Sequence, residues 1–83
     1  MLARNQGKIQ AGYYKDYLNQ KYEAVEQQME AAGFTNIVII DLNDPGMFGG
    51  KKDKVQSISI AGNSSFESVH WFYPDDKVII SHY

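Results

Sequence analysis

The stretch YEAVEQQMEAAGFTNIVII, residues 22–40, decides the fold, because it holds a helix pattern, a helix end and a strand in direct succession. Its apolar residues first recur every three or four positions, which places them on one face of a helix. These residues are Tyr22, Val25, Met29 and Ala32. Gly33 follows them and predicts the helix end, because glycine adopts the left-handed conformation at little cost. The spacing predicts a helix over about residues 20–32.

The flanks of this helix carry further signals. Asn19 is the predicted N-cap, since its side chain can accept from a free backbone N–H of the first turn. Glu23 lies in the first turn, where the helix dipole favours a negative charge. The face opposite the apolar one is expected to meet water and carries Glu23, Glu26, Gln27 and Glu30.

A strand is predicted at Ile37–Ile40, where β-branched residues dominate. Both alternating sets of this run are apolar, so we expect the strand to be covered on both faces. Residues 41–53 follow with the turn sequence Asn-Asp-Pro-Gly at 43–46 and two glycines at 49 and 50. These residues predict an exposed, mobile loop.

Two further strands complete the pattern, at Val55–Ile60 and at Lys77–Tyr83. Ile58 and Ile60 share one face of the first of them, whereas Val55 has the opposite parity. That break predicts either a β-bulge or a strand that starts on the second face. Lys8–Ala11 is a candidate short edge strand.

The predicted fold class is therefore α+β, in the order β-α-β-β. One helix packs on a small, mostly antiparallel sheet of three strands, or of four if the edge strand forms. Residues 1–7 are predicted to be a flexible lead-in and residues 8–83 a single domain. The stretch 63–76 is irregular and rich in aromatic residues, and we expect it to cover the sheet.

Composition excludes several classes of protein. The chain of 83 residues has no cysteine, which excludes disulfide scaffolds, thiolate metal sites and cysteine nucleophiles. Its net charge is −2, whereas nucleic-acid-binding proteins typically carry a basic surface. The longest apolar run, Ile37–Ile40, is far shorter than the roughly 20 residues of a membrane span, so no membrane insertion is expected. The N-terminus shows no secretory signal.

Four stretches, residues 22–25, 31–34, 55–62 and 76–80, resemble the PASTA domain, the small β-α-β-β module named for penicillin-binding proteins and serine/threonine kinases. More narrowly, three local patterns resemble PASTA-like domains of Gram-positive bacterial proteins. They are residues 33–37 (GFTNI), 55–62 (VQSISIAG) and 71–78 (WFYPDDKV), in that order along the chain, and the resemblance covers residues 8–83. The proline that commonly opens the family's first strand is absent near Ile9.

The resemblance implies a location outside the cell membrane, as part of a longer or tethered protein. It also implies that some members recognise peptidoglycan fragments or the β-lactams that mimic them, whereas others act as spacers. Should the 83 residues be the complete gene product, a cytoplasmic location is expected instead.

Catalysis is not expected. A His–Asp–Ser grouping can be assembled from His70, Asp75 and Ser64, but no nucleophile elbow accompanies it. His70 and His82 are interpreted as surface or capping histidines.

Neither a metal nor a phosphate cofactor is predicted. Oxygen ligands are concentrated around the loop at Asp41, Asn43, Asp44 and Asp53, but the closing acidic ligand of an EF-hand is missing. A turn in which Asp and Asn bind their own backbone explains the same residues. The Gly-Gly-Lys-Lys sequence at 49–52 lacks the Ser/Thr and the helix start that a phosphate loop requires.

Candidate ligand-binding residues are Trp71, Tyr73 and Phe48. Three consecutive aromatic residues at 71–73 cannot all point one way on an extended segment, so we expect some in the core and others exposed. Phe48 either folds back on the sheet or is presented to a partner.

Two functional hypotheses follow from these observations. The first is a non-catalytic interaction module of a bacterial cell-envelope protein, which recognises peptidoglycan fragments or acts as a spacer. The second is a small cytoplasmic or phage-encoded adaptor that binds a protein through a sheet edge or an aromatic patch.

Overall fold

The computed structural model describes residues 7–44 and 49–83 of the chain. A short 3-10 helix at Tyr14–Asp16 precedes the α-helix α1, Tyr22–Ala32. The strands are β1 (Ile37–Asp41), β2 (Val55–Ile60) and β3 (Val78–His82). The predicted class, α+β with one helix and a three-stranded sheet, is confirmed. None of the helices in the described residues has the length and apolarity to span a membrane.

The last strand in the chain is the middle strand of the sheet, whose order is β1-β3-β2. β3 runs parallel to β1, with Ile37 opposite Val78, and antiparallel to β2, with Ile58 opposite Ile80. The sheet is therefore mixed, with one parallel and one antiparallel pair, whereas the sequence predicts a mostly antiparallel sheet. The parallel pair arises because the chain between β1 and β3 crosses over and returns in the direction of β1. At the predicted fourth strand, Ile9 forms an isolated antiparallel bridge with Phe72.

α1 buries Val25 and Met29 completely, as the helical spacing predicts. Two details of that prediction are wrong. Ala32 is exposed, because it lies in the last turn, past the end of the packed face. Asn19 is not the N-cap: it has φ 68°, the cap position is Lys21, and no side chain caps the helix. Instead the Asp53 carbonyl accepts from the Tyr22 N–H at 2.9 Å, so tertiary structure supplies the cap.

β1 is covered on one face only, so the expectation that both faces are covered is wrong. Ile37 and Ile39 are half-buried on the side of the core, whereas Val38 and Ile40 are 36% and 40% exposed. The described residues place a helix against one side of the sheet, and β1 has β3 as its neighbour on one edge. The side chains of Val38 and Ile40 therefore lie on an open face of the sheet.

The parity break in β2 is a bulge, one of the two alternatives that the sequence leaves open. Val55 lies opposite His82 and Ser57 lies opposite Ser81, which leaves Gln56 as the extra residue. The bulge brings Val55 to the same buried face as Ile58 and Ile60. All three join the core, whose buried members are Ala11, Val25, Met29, Phe34, Val55, Ile58, Ile60, Phe66, Phe72, Val78 and Ile80.

Gly33 ends α1 in the left-handed conformation, with φ 113° and ψ 2°, as predicted. Its N–H donates to the Glu30 carbonyl at 3.0 Å, and the Phe34 N–H donates to the Met29 carbonyl at 3.1 Å. This pair of bonds is a Schellman motif, and the buried side chains of Met29 and Phe34 accompany it. The helix end thus directs the chain into β1 with its last carbonyls satisfied.

Replacing Gly33 with alanine is expected to lower the free energy of unfolding by on the order of 1 kcal/mol. The added Cβ is strained at φ 113° and comes within 3.4 Å of Ile9 Cδ1. Urea melts measure the loss, and Gly50→Ala is the matched control, because a Cβ at Gly50 meets nothing within 4 Å. A Gly33→Ala variant as stable as the control would contradict this helix end.

Met29→Ala is expected to lower the free energy of unfolding by about 2–5 kcal/mol, because it removes a fully buried side chain. Gln27→Ala, on the exposed face of α1, should stay within about 0.5 kcal/mol of the unmodified chain. Equal losses for the two variants in urea melts would show that the buried face of the helix is wrongly assigned.

Candidate binding surface

The aromatic stretch 63–76 is anchored in the core by two buried rings, Phe66 and Phe72. Their centroids are 6.0 Å apart and their planes are nearly perpendicular, the edge-to-face arrangement that aromatic pairs favour. Phe66 also contacts Tyr14 and Tyr17, and Phe72 contacts Phe34. The prediction that part of this stretch belongs to the core is confirmed for these two residues, and we call residues 63–76 the lid.

Tyr17, in the segment before α1, packs against the lid and stabilises it. Its hydroxyl donates to the Ala11 carbonyl and its ring lies beside Phe66. Burial, with the nearby Asp16 as the second cause, raises the pKa of Tyr17. The phenol therefore stays protonated, and able to donate this hydrogen bond, throughout the neutral range.

Backbone hydrogen bonds hold the lid at both of its buried rings. Ile9 and Phe72 exchange two bonds, N–H to carbonyl, of 2.7 and 2.8 Å. The Tyr14 N–H donates to the Phe66 carbonyl at 3.0 Å. Residues between the two rings are thus attached at each end to the segment that precedes α1.

Residues 67–70 form a closed turn between these anchors. The His70 N–H donates to the Glu67 carbonyl at 3.0 Å, and His70 Nδ1 accepts from the Glu67 N–H at 2.8 Å. The Gln10 side chain donates to the Ser68 carbonyl at 2.7 Å. His70 therefore caps a turn, as one of its two predicted roles requires.

Two apolar side chains project from this fixed segment. Val69, in the turn, is 73% exposed, and Trp71, next to the buried Phe72, is 58% exposed. The other exposed large apolar side chains of residues 7–44 and 49–83 are less exposed, with Leu42 the next at 43%. The alternation between Trp71 outside and Phe72 inside follows the prediction for three consecutive aromatic residues.

The three predicted ligand-binding residues have different surroundings. Trp71 presents its ring to solvent. Tyr73 is half-buried, and Lys8 Nζ lies 5.1 Å from its ring centroid, which occupies one ring face with a cation–π contact. Phe48, like residues 1–6 of the predicted lead-in, lies outside the described residues. The candidate binding surface consists of Val69 and Trp71, and we call it the Trp71 surface.

A separate cleft of about 210 Å³ lies beside the loop, lined by Asp41, Asn43, Asp44, Lys52, Asp53 and Tyr83. Asp41 Oδ1 accepts from the Asn43 N–H at 2.7 Å, which confirms the predicted turn at these residues. Within residues 7–44 and 49–83, no three side chains of the His, Cys, Asp and Glu types are grouped as metal ligands. Pro45 to Phe48 of this loop are outside the described residues.

His82 is a buried structural residue, so the surface alternative of the two roles predicted for it is wrong. It is only 4% exposed, and its ring stacks on Tyr22 with centroids 3.9 Å apart and an angle of 9° between planes. Its Nδ1 lies 2.9 Å from the Tyr83 carbonyl oxygen and 4.0 Å from Asp53 Oδ1. The signal was present in the sequence, because His82 follows Val78 and Ile80 at every second position of β3.

The charges near the Tyr22–His82 stack belong to the start of α1 and to the loop. The negative charge of Glu23 is the main cause that raises the pKa of Tyr22. Desolvation and the carboxylates of Asp53, Glu26 and Asp41 raise it further. Tyr22 is therefore a neutral ring at physiological pH. The stack fastens the helix start to the end of the central strand.

Comparison with known proteins adds no relative. No family model, curated protein or solved structure matches the chain. The resemblance to PASTA domains rests on local patterns of the sequence and stays a prediction.

Trp71→Ala is expected to lower the free energy of unfolding by no more than about 1 kcal/mol, because most of the ring is in solvent. Phe66→Ala should cost about 3–5 kcal/mol, because that ring is fully buried. Urea melts followed by circular dichroism compare the two without relying on the tryptophan signal. A loss for Trp71→Ala as large as that for Phe66→Ala would assign Trp71 to the core instead of a binding surface.

Proposed function

We propose that this chain is a non-catalytic interaction module of a bacterial cell-envelope protein, which recognises peptidoglycan fragments through the Trp71 surface. One observation supports it most: the Trp71 ring is exposed on a backbone that is fixed on both sides. An exposed indole ring offers flat apolar area that a ligand can bury, and a ring on a fixed backbone loses less entropy on binding than one on a free segment. The resemblance to PASTA-like domains supports the choice of ligand class.

The chemistry of a glycan matches such a ring. The apolar C–H face of a pyranose can stack on the flat indole, as apolar groups do on aromatic rings in general. A single stacking platform supplies only a few kcal/mol, so we expect a dissociation constant of about 1 mM or slightly lower. Lys8 is the cation placed against Tyr73, and one cation makes the binding only weakly dependent on salt.

A second candidate is an adaptor that binds another protein through the same surface. Val69 favours it, because this aliphatic side chain is 73% exposed two positions from an exposed tryptophan, and apolar and aromatic side chains make up the centre of protein interfaces. In that case the ring packs against a protein side chain instead of a sugar. The two candidates differ in the ligand that shifts the Trp71 resonances.

Titration with soluble muropeptides tests the first candidate. Trp71 is the chain's single tryptophan, so its fluorescence reports on this surface alone. We expect saturable fluorescence changes and amide shifts confined to about residues 67–73, with little change between low and physiological salt. Trp71→Ala should abolish the shifts, and Trp71→Phe should retain a part of them, because the smaller ring still stacks.

Tyr13→Ala is the matched control, since Tyr13 is another exposed aromatic residue outside this surface. Its affinity for muropeptides should equal that of the unmodified chain. Shifts confined to the loop 41–53, or none at millimolar ligand, would exclude the Trp71 surface as a glycan platform. The spacer and the protein-binding adaptor would then be the remaining candidates.

A further inference from the structure

Among the described residues, the outer edge of β1 has no backbone hydrogen-bond partner. The Asn36 carbonyl accepts from the Val78 N–H at 2.9 Å, and the Leu42 N–H donates to the His82 carbonyl at 2.8 Å. Alternate residues of a strand bond to alternate sides, so the N–H and C=O groups of Ile37, Ile39 and Asp41 point away from β3. Within the described residues, no backbone group outside β3 bonds to the backbone of β1.

This edge lacks the devices that commonly protect an edge strand. Residues 37–40 of β1 include no lysine and no proline and form no bulge. The one charged residue of β1 is Asp41, its last residue. β2 differs: it has a bulge at Gln56, and Gln20 covers its start by accepting from the Val55 N–H at 2.8 Å. Of the two outer strands, β1 is therefore the one open to strand addition.

We propose that β1 binds a second copy of this chain by antiparallel edge-to-edge pairing, with a two-fold axis at Ile39. The register follows from the groups that point outward. Ile39 pairs with Ile39 of the second copy, and Ile37 pairs with Asp41 of the second copy, each as a hydrogen-bonded pair. The same outward groups are used on both copies, so the edge is complementary to itself.

The outward groups and the charge both favour the antiparallel direction. In the antiparallel pairing the two Asp41 carboxylates lie about 14 Å apart, because four residues of a strand rise about 3.4 Å each. That distance exceeds the screening length of about 8 Å at physiological salt. Across a parallel pair, a residue that bonds to the neighbouring strand lies opposite one that points away, as Val78 lies opposite Ile37. A parallel pairing through the outward groups of both copies would therefore be shifted by an odd number of residues, and would place Val38 and Ile40 of the two copies on opposite faces.

The open face gains apolar burial in the same pairing. Val38, 36% exposed, comes opposite Ile40 of the second copy, and Ile40, 40% exposed, comes opposite Val38 of the second copy. These are non-hydrogen-bonded pairs, in which side chains approach most closely. Leu42 and Ile79 border the resulting apolar cluster on the same face.

A stable protein interface buries at least about 1,200 Å² of accessible surface. The pairing of one short strand buries less surface than that, so the dimer is weak. We expect a dissociation constant between about 10 μM and 1 mM. This association is independent of the proposed glycan binding, because β1 and the Trp71 surface share no residue.

Sedimentation equilibrium of the full chain over about 10 μM to 1 mM tests the proposal. The average mass should rise from monomer toward dimer. Val38→Lys should weaken association at least about tenfold, since it places a charge in each cross-strand pair. Val69→Lys is the matched control: it makes the same chemical change at an exposed valine away from β1 and should leave the association unchanged.

Amide spectra of the unmodified chain provide a second test that needs no variant. Raising the concentration should shift the amides of Ile37, Ile39 and Asp41 and leave those of residues 67–73 in place. A chain that stays monomeric at 1 mM overturns the proposal, as do equal effects of the two lysine variants. Concentration-dependent shifts centred on Trp71 would also overturn it, by locating self-association at the other surface.

Discussion

The pairing of β3 on both of its edges is the constraint on which the rest of the structure depends. Among the strands of the described residues, β3 alone pairs with both others, parallel to β1 and antiparallel to β2. Its residues Val78, Ile80 and His82 are buried on the side of α1, and His82 stacks on Tyr22 at the start of that helix. Because β3 comes last in the chain, the sheet is complete only when the C-terminal residues are in place.

The two candidate interaction surfaces arise from the two places where this small core leaves apolar groups uncovered. Opposite α1, the sheet face at Val38 and Ile40 has no covering layer in the described residues. Across the lid, the need to bury Phe66 and Phe72 turns Trp71 outward. In both cases a rigid backbone presents apolar area, the combination that lowers the entropic cost of binding.

Local signals predicted most of the elements but not their neighbours. The helix, its Gly33 end and the three strands follow from spacing and glycine, which act over a few residues. Parity leaves the bulge in β2 as one of two alternatives. The parallel pairing of β1 with β3 depends on a connection of more than 30 residues, for which the sequence carries no local signal. The bare face of β1 and the Asp53 cap of α1 depend on such non-local contacts and were missed. The burial of His82 was also missed, although the alternation along β3 indicates it, and alternation left open which of the rings at 71–73 is exposed.

Hydrogen exchange of the backbone amides in dilute solution tests the central place of β3 most directly. The amides of Ile79 and Ile80, directed to β2 and β1 respectively, should exchange only through global unfolding, with a free energy equal to that of the urea melts. The amides of Ile37 and Ile39, on the free edge, should exchange orders of magnitude faster under the same conditions. Protection of Ile39 equal to that of Ile79 in the monomer, or early exchange of Ile80, would contradict this account.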